Sequence, residues 1–316
     1  MRFARLLSAG IKYVTNDNYR FLIDAGRGKY NSLSDEEFLK KKFQVVFGYP
    51  LDLTNPKTFS EKIQWLKLYD RKQEYTTYVD KYLVRDYIKQ TIGEEYLIPL
   101  LGVWDDPKEI DFNLLPDQFV LKCNHNSGQG MYICKRKSEL NIDKVIAGIY
   151  SGLAQDYYIV NREWPYKNVP RKVICEKYMV DESGDGLRDY KVLCFNGKAR
   201  LVEFHQGRFT DHQTQDFYTS DWRLTNISQS GFAEASEDRE PAPAPSTLQE
   251  MIQLSEILAK DLIHVRIDWY SVNGRLYFGE ITFYDGSGFD KFDKMDYDLE
   301  LGRMIELPTR KREEEI

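Results

Sequence analysis

The spacing of apolar positions divides the chain into a helical first third and a strand-rich remainder. Ser34-Asp35-Glu36-Glu37 has the form of a capping box and predicts a helix that fades before Gly48. Thr58-Phe59-Ser60-Glu61 repeats that signature, and Phe59, Ile63, Leu66 and Tyr69 then recur near the helical period. A third helix is expected from about Thr76 to Ile92, with Val79, Leu83 and Ile88 inward and Gly93 as its stop. After Pro99 the pattern changes. QFVLKC (118–123) and MYICK (131–135) read as strands joined by a loop of small polar residues, and 141–154 reads as an apolar helix. KVICEKYMV (172–180) is a buried strand, and 189–204 is a hairpin turning at Asn196-Gly197. A polar, Pro-rich loop at 236–245 precedes a helix capped by Ser246 with Gln249 and reaching about Leu262. The strands HVRIDWY and RLYFGEI follow, joined at Asn273-Gly274. Helices followed by mixed strands and helices favour α+β over a doubly wound parallel sheet.

Composition adds mainly exclusions. At 316 residues, two domains are expected. Asp plus Glu (50) exceeds Lys plus Arg (44), a balance that argues against a general nucleic-acid binder. Cys123, Cys134, Cys175 and Cys194 show no C-x-x-C spacing and lie in strand-like runs, so buried reduced thiols are expected. No run of 18 apolar residues would span a membrane, and the first residues lack a signal-peptide core. A cytoplasmic location is expected, with room for peripheral membrane association.

Two segments carry candidate chemistry. P-loop and dinucleotide fingerprints are absent. Residues 121–137 nevertheless hold Lys122, Lys135, Arg136 and Lys137 with no acid, around Asn126-Ser127-Gly128-Gln129-Gly130. Backbone N–H groups of such a loop can crowd round phosphate oxygens beside a Lys, although a solvated hairpin end fits the same residues. Asp268 and Glu280 flank the Asn273-Gly274 turn and could hold Mg²⁺, or stand on a solvated strand face. A strict two-residue turn would put them on opposite faces. A three-residue loop, Val272-Asn273-Gly274, would instead pair 268 with 278 and 266 with 280, so the bulged turn is expected.

In order and spacing these pieces resemble the ATP-grasp enzymes. FSEKIQWLKLYDR, DKYLVRDYI, FVLKCNHNSG, DYKVLCFNGK and VRIDWYSVNGRLYFGEITFYDGSG resemble, more narrowly, the TupA-like ATP-grasp family, named for teichuronopeptide biosynthesis and found in capsule and polysaccharide gene clusters. The resemblance covers roughly residues 40–300. It implies an ATP-grasp fold with a helical region (1–75), a lid subdomain (76–175) and a C-terminal antiparallel-sheet subdomain (176–316) that sandwich ATP. It implies that Lys81 and Lys122 grip phosphate oxygens, with Ser127, Gly128 and Gly130 in a closing loop. Glu176 would accept from the ribose, and Lys177, Tyr178 and Met179 would form the adenine hinge. Asp268 and Glu280 would hold Mg²⁺, with Thr282 where the family usually has Asn. Lys191 would contact phosphate, and Arg266 would stabilise developing acyl-phosphate charge or form a structural ion pair with Glu280.

The implied reaction is ATP-dependent: a carboxylate is phosphorylated and an amine attacks the acyl phosphate, giving an amide. A uronic-acid carboxylate on a nucleotide- or lipid-linked sugar and an amino-acid amine are the implied substrates. Arg208, His212 and Ser287 are candidates for their pocket. Two other readings stay open. One is a metal-dependent glycosyltransferase using Asp296-Tyr297-Asp298, and the other is a non-enzymatic carbohydrate-binding protein using some of the 22 Tyr.

Overall fold

The computed structural model describes residues 12–181, 187–206, 214–231 and 240–309. Its N-terminal part folds into helices α1 (Asp17–Gly26), α2 (Asp35–Phe47) and α3 (Phe59–Tyr69). Both expected capping boxes form, Ser34 with Glu37 and Thr58 with Glu61. Phe21, Phe38, Leu39 and Phe43 make a small core of their own between α1 and α2.

The single helix expected over 76–92 is two, α4 (Glu74–Val79) and α5 (Val84–Thr91). The break has a local cause. Asp80 turns extended at ψ 111°, and its carboxylate accepts the Tyr82 and Leu83 N–H groups at 2.8 and 3.2 Å. An acid that satisfies backbone donors in this way competes with helix continuation. Val79 and Ile88 are buried as expected, whereas Leu83, just after the break, is exposed.

A four-stranded antiparallel sheet follows: β1 (Leu100–Trp104), β2 (Phe119–Cys123), β3 (Tyr132–Cys134) and β4 (Val173–Lys177), in the order β1-β4-β2-β3. Alternation gives it two unlike faces. Phe119, Leu121, Cys123, Val173 and Cys175 pack against Val145 and Ile149 of α6 (Ile142–Ala154). Val120, Lys122, Ile174 and Glu176 lie on the other face. The short helix α7 (Tyr157–Asn161) leads back towards β4.

The second sheet is also antiparallel. It comprises β5 (Arg188–Phe195), β6 (Lys198–Gln206), β7 (Thr214–Thr219), β8 (His264–Val272) and β9 (Arg275–Thr282), in the order β7-β6-β5-β8-β9. Tyr190, Val192, Cys194, Val265, Ile267 and Trp269 share the face packed on α8 (Leu248–Leu258). That helix is shorter than expected, with Thr247 at its N-cap and no side-chain cap bond from Ser246. The β5–β6 hairpin turns at Asn196-Gly197, both left-handed, as the Asn-Gly pair requires. Helix α9 (Met295–Met304) packs beside α3. All four cysteines are buried free thiols. Among the described residues no helix is long and apolar enough to cross a membrane.

Candidate active site

On the face of the second sheet opposite α8, four neighbouring strands each contribute one residue to a single row. Glu203 of β6 stands opposite Lys191 of β5, Lys191 opposite Asp268 of β8, and Asp268 opposite Glu280 of β9. The two acids do share a face, but not through the expected turn. Asn273 and Gly274 form a two-residue turn with φ of 52° and 74°, and Val272 pairs with Arg275. Continued unchanged, that register would set the acids on opposite faces. A bulge restores the match further along: Trp269 pairs with Phe278 and Asp268 with Glu280, leaving Gly279 as the extra residue. Arg266 consequently faces Thr282 rather than Glu280.

Charge compensation along this row is dense. The Arg266 guanidinium takes both oxygens of Asp268, at 2.7 and 2.9 Å, and pairs with Asp285 as well. Its remaining reach is to Glu280 Oε1 and Thr282 Oγ1, each at 3.4 Å. Lys191 binds Asp189 and lies 3.5 Å from Asp268. Burial pushes the Asp268 carboxyl up to about 6 against the pull of Arg266 and Lys191. Burial acts the same way on Glu280, but Lys81, Arg266 and Lys191 outweigh it and hold that group at about 2. The side-chain exposures agree with this difference, 30% for Glu280 against 7% for Asp268. Glu203, kept ionised at about 2 despite burial, accepts from His205 and, at 2.7 Å, from Gln215.

The segment between α4 and α5, tied to the loop after β2, brings a further cation to the row. The break after α4 places Lys81 so that its Nζ donates to Asn126 O at 2.8 Å and lies 3.3 Å from Glu280 Oε2. Lys81 thereby joins the Gly-rich loop to the acid pair across two sheets. In that loop Gly128 and Gly130 are left-handed, and Ser127 and Gly128 are exposed. Lys122 pairs with Glu176 at 2.6 Å, and Arg85 approaches the same carboxylate at 3.5 Å. The Lys177 N–H, within the expected hinge, is committed to Pro99 O at 2.9 Å. Two of the remaining basic residues of 121–137 serve the local structure. Lys135 is exposed, Arg136 pairs with Glu139, and Lys137 donates to Asn113 O and Leu115 O at 3.1 and 2.6 Å.

Ser287 is no surface-loop residue. It sits in a turn whose Gly286, Ser287 and Gly288 are all left-handed, and it is 8% exposed. Gln64 and Lys67 of α3 donate to its carbonyl at 3.2 and 2.7 Å, while its hydroxyl binds Glu163 and accepts from Asn161 at 2.8 Å. Arg208 and His212 lie outside the described residues. Sequence reading missed Glu203, Asp285, Arg85 and Asn124. Arg85, Asn124 and Asp285 lie within the segments that carry the family resemblance without being singled out there, and Glu203 stands as a lone acid inside the apolar strand RLVEF.

The residues present suit a hard divalent cation. Around the row, the carboxylates of Asp189, Glu203, Asp268, Glu280 and Asp285 meet the cations of Lys81, Lys191 and Arg266, an excess of two negative charges. Among the described residues no three His, Cys, Asp or Glu side chains form a metal cluster. Two opposed carboxylates with the Thr282 hydroxyl beside Glu280 are instead the sparse oxygen set that Mg²⁺ takes when phosphate and water complete its shell.

Helices with two antiparallel sheets, one of them carrying the row of paired acids, give the α+β architecture of an ATP-grasp protein. The chain belongs to the TupA-like ATP-grasp family, whose model matches residues 61–306. No curated protein matches it by sequence. Among solved structures it is similar to the D-alanine–D-alanine ligase of Helicobacter pylori, at 16% identity and a TM-score of 0.45, covering 79% of this chain and 70% of that one. It is also similar to the L-amino acid ligase of Bacillus licheniformis, at 13% identity and a TM-score of 0.42, covering 81% of this chain and 56% of that one. A D-alanine–D-alanine ligase of Bacillus anthracis matches at 17% identity and a TM-score of 0.40, with 66% and 57% covered. The chain thus spans little more than half the length of the latter two.

Proposed function

We propose that the protein is an ATP-dependent carboxylate–amine ligase that forms an amide through an acyl phosphate. The supporting observation is the meeting of Lys81 with Glu280, 199 positions apart in sequence, in a chain of this family. Lys81 and Lys122 bind phosphate oxygens of ATP, and the Gly-rich loop covers them with backbone N–H groups. Asp268, Glu280 and Thr282 hold Mg²⁺, which when bound neutralises charge on the outer phosphates. Lys191 steadies the transferred phosphoryl group. Arg266 faces the reacting carboxylate, and its three acidic neighbours fix its orientation beforehand. Glu176 receives the ribose when Lys122 releases it for phosphate, and Tyr178 and Met179 read adenine.

The substrates proposed are a uronic-acid carboxylate, carried on a nucleotide or lipid, and an amino-acid amine, joined during assembly of a bacterial cell-surface polysaccharide. The Asp296-Tyr297-Asp298 stretch does not present its two acids together. Asp298 is buried and accepts the Ser60 N–H at 2.9 Å, where it serves the first turn of α3, while Asp296 is exposed. Turnover of ATP to ADP with Mg²⁺, across a panel of uronic acids and amino acids, tests the assignment, with amide product detected by mass spectrometry. Sugar transfer from a nucleotide sugar without ATP consumption would overturn it.

A further inference from the structure

Lys81 must reach two partners on different sheets at once, and nothing in a lysine's flexible stem fixes it there. The fixing contacts lie one residue back. Asp80 and Asn124 are 1% and 0% exposed, too buried to touch a nucleotide. Asn124 Nδ2 donates to Asp80 Oδ1 at 2.9 Å and to Pro170 O at 2.8 Å. Asn124 Oδ1 accepts the Lys172 N–H at 2.7 Å. The backbones are joined as well, Lys81 N–H to Asn124 O at 3.1 Å. The segment between α4 and α5 is therefore tied to the end of β2 by one side-chain bond and one main-chain bond, two residues before Asn126. Every polar atom of the Asn124 amide is used, the condition under which a buried network holds one geometry.

We infer that Asp80 and Asn124 are the positioning pair that registers Lys81 with the phosphate loop, so that affinity for the outer phosphates of a nucleotide depends on two residues that touch none of it. The inference rests on the ATP-binding reading and adds to it. If Asp80 acts through Lys81, its loss weakens binding of a triphosphate and spares that of a monophosphate.

The test is calorimetric titration of the full chain, with Mg²⁺, using a non-hydrolysable ATP analogue and AMP. Asp80→Ala and Asn124→Ala are expected to weaken the analogue about tenfold and to change AMP by less than about twofold. The double variant Asp80→Ala/Lys81→Ala should bind the analogue no more weakly than Lys81→Ala alone. Should Asp80→Ala fail to fold, Asn124→Ala reads the tie alone, and Asp80→Asn, which keeps the one oxygen shared by Tyr82, Leu83 and Asn124, is expected to bind both nucleotides as wild type does. Equal losses for both nucleotides, or additive losses in the double variant, would overturn the inference while leaving ATP binding intact. A wild-type chain with no preference for the analogue over AMP would overturn the ATP-site reading itself.

Discussion

Asp268 gives both of its oxygens to Arg266, and Asp285 leans on the same guanidinium. Arg266 keeps two buried acids paired, and in the proposed reaction the same charge serves the reacting carboxylate. Removing one partner of a buried pair costs roughly 3–5 kcal/mol because the other charge is left uncompensated. Arg266→Ala should accordingly lower the thermal midpoint sharply. Adding Asp285→Asn should recover part of that loss without recovering ATP turnover, which calorimetry and an ADP assay would separate. Glu280 differs, being more open and held ionised by Lys81. Glu280→Gln keeps the shape and loses the charge, so folding should survive while Mg²⁺-dependent turnover falls at least about 100-fold. Wild-type turnover in that variant would remove Glu280 from the metal site.

At the scale of elements, the site depends on one bulge. The Asn-Gly turn was legible in the sequence, and it alone would have separated the acids. What reunites them is Gly279, where a Cβ would stand 3.0 Å from the Asp268 carbonyl oxygen and 3.3 Å from its Cβ. Overpacking against a strand backbone costs about 1–3 kcal/mol. Gly279→Ala is expected to show that loss in urea unfolding, together with weaker Mg²⁺-ATP binding as the two acids lose register. An unchanged nucleotide affinity would mean that the bulge does not set the acid pair. The capping boxes at Ser34 and Thr58 were readable because their chemistry is local. The break after Val79 was not, because helical periodicity continues through Asp80 and only the Asn124 amide and the turn N–H groups hold that carboxylate in place.

Across the whole molecule, α3 meets the end of the second sheet at His264, whose ring packs edge-on to Phe59 and against Phe195. Burial drives this imidazole down to about 3 from 6.5, so it is neutral in the folded chain. The unfolded chain then binds the extra proton below 6.5, and stability falls as pH drops from 6.5 towards 3. By pH 4.5 the loss from this one group is about 2–3 kcal/mol. His264→Phe should flatten the acid limb of stability against pH in urea titrations at pH 7 and 4.5. A slope equal to wild type would place the acid sensitivity elsewhere. The same long-range logic applies to Lys67, to which the sequence assigned no role. Burial pushes it down to about 7, and it ties α3 to the Ser287 turn and to Asn161.

The residue types and their local order determined the α+β character, the capped helices, the hairpins and the roster of phosphate and metal candidates. Each of these follows from interactions within a few positions, which a linear pattern records. Tertiary structure decided which members of that roster meet. It sent Arg136 and Lys137 to local duties, drew Lys81 to Glu280, set Glu203 and Lys191 in register with the acid pair, and closed Ser287 under α3. Sheet order, bulge position and burial fix those meetings, and all three depend on contacts between residues far apart in the chain.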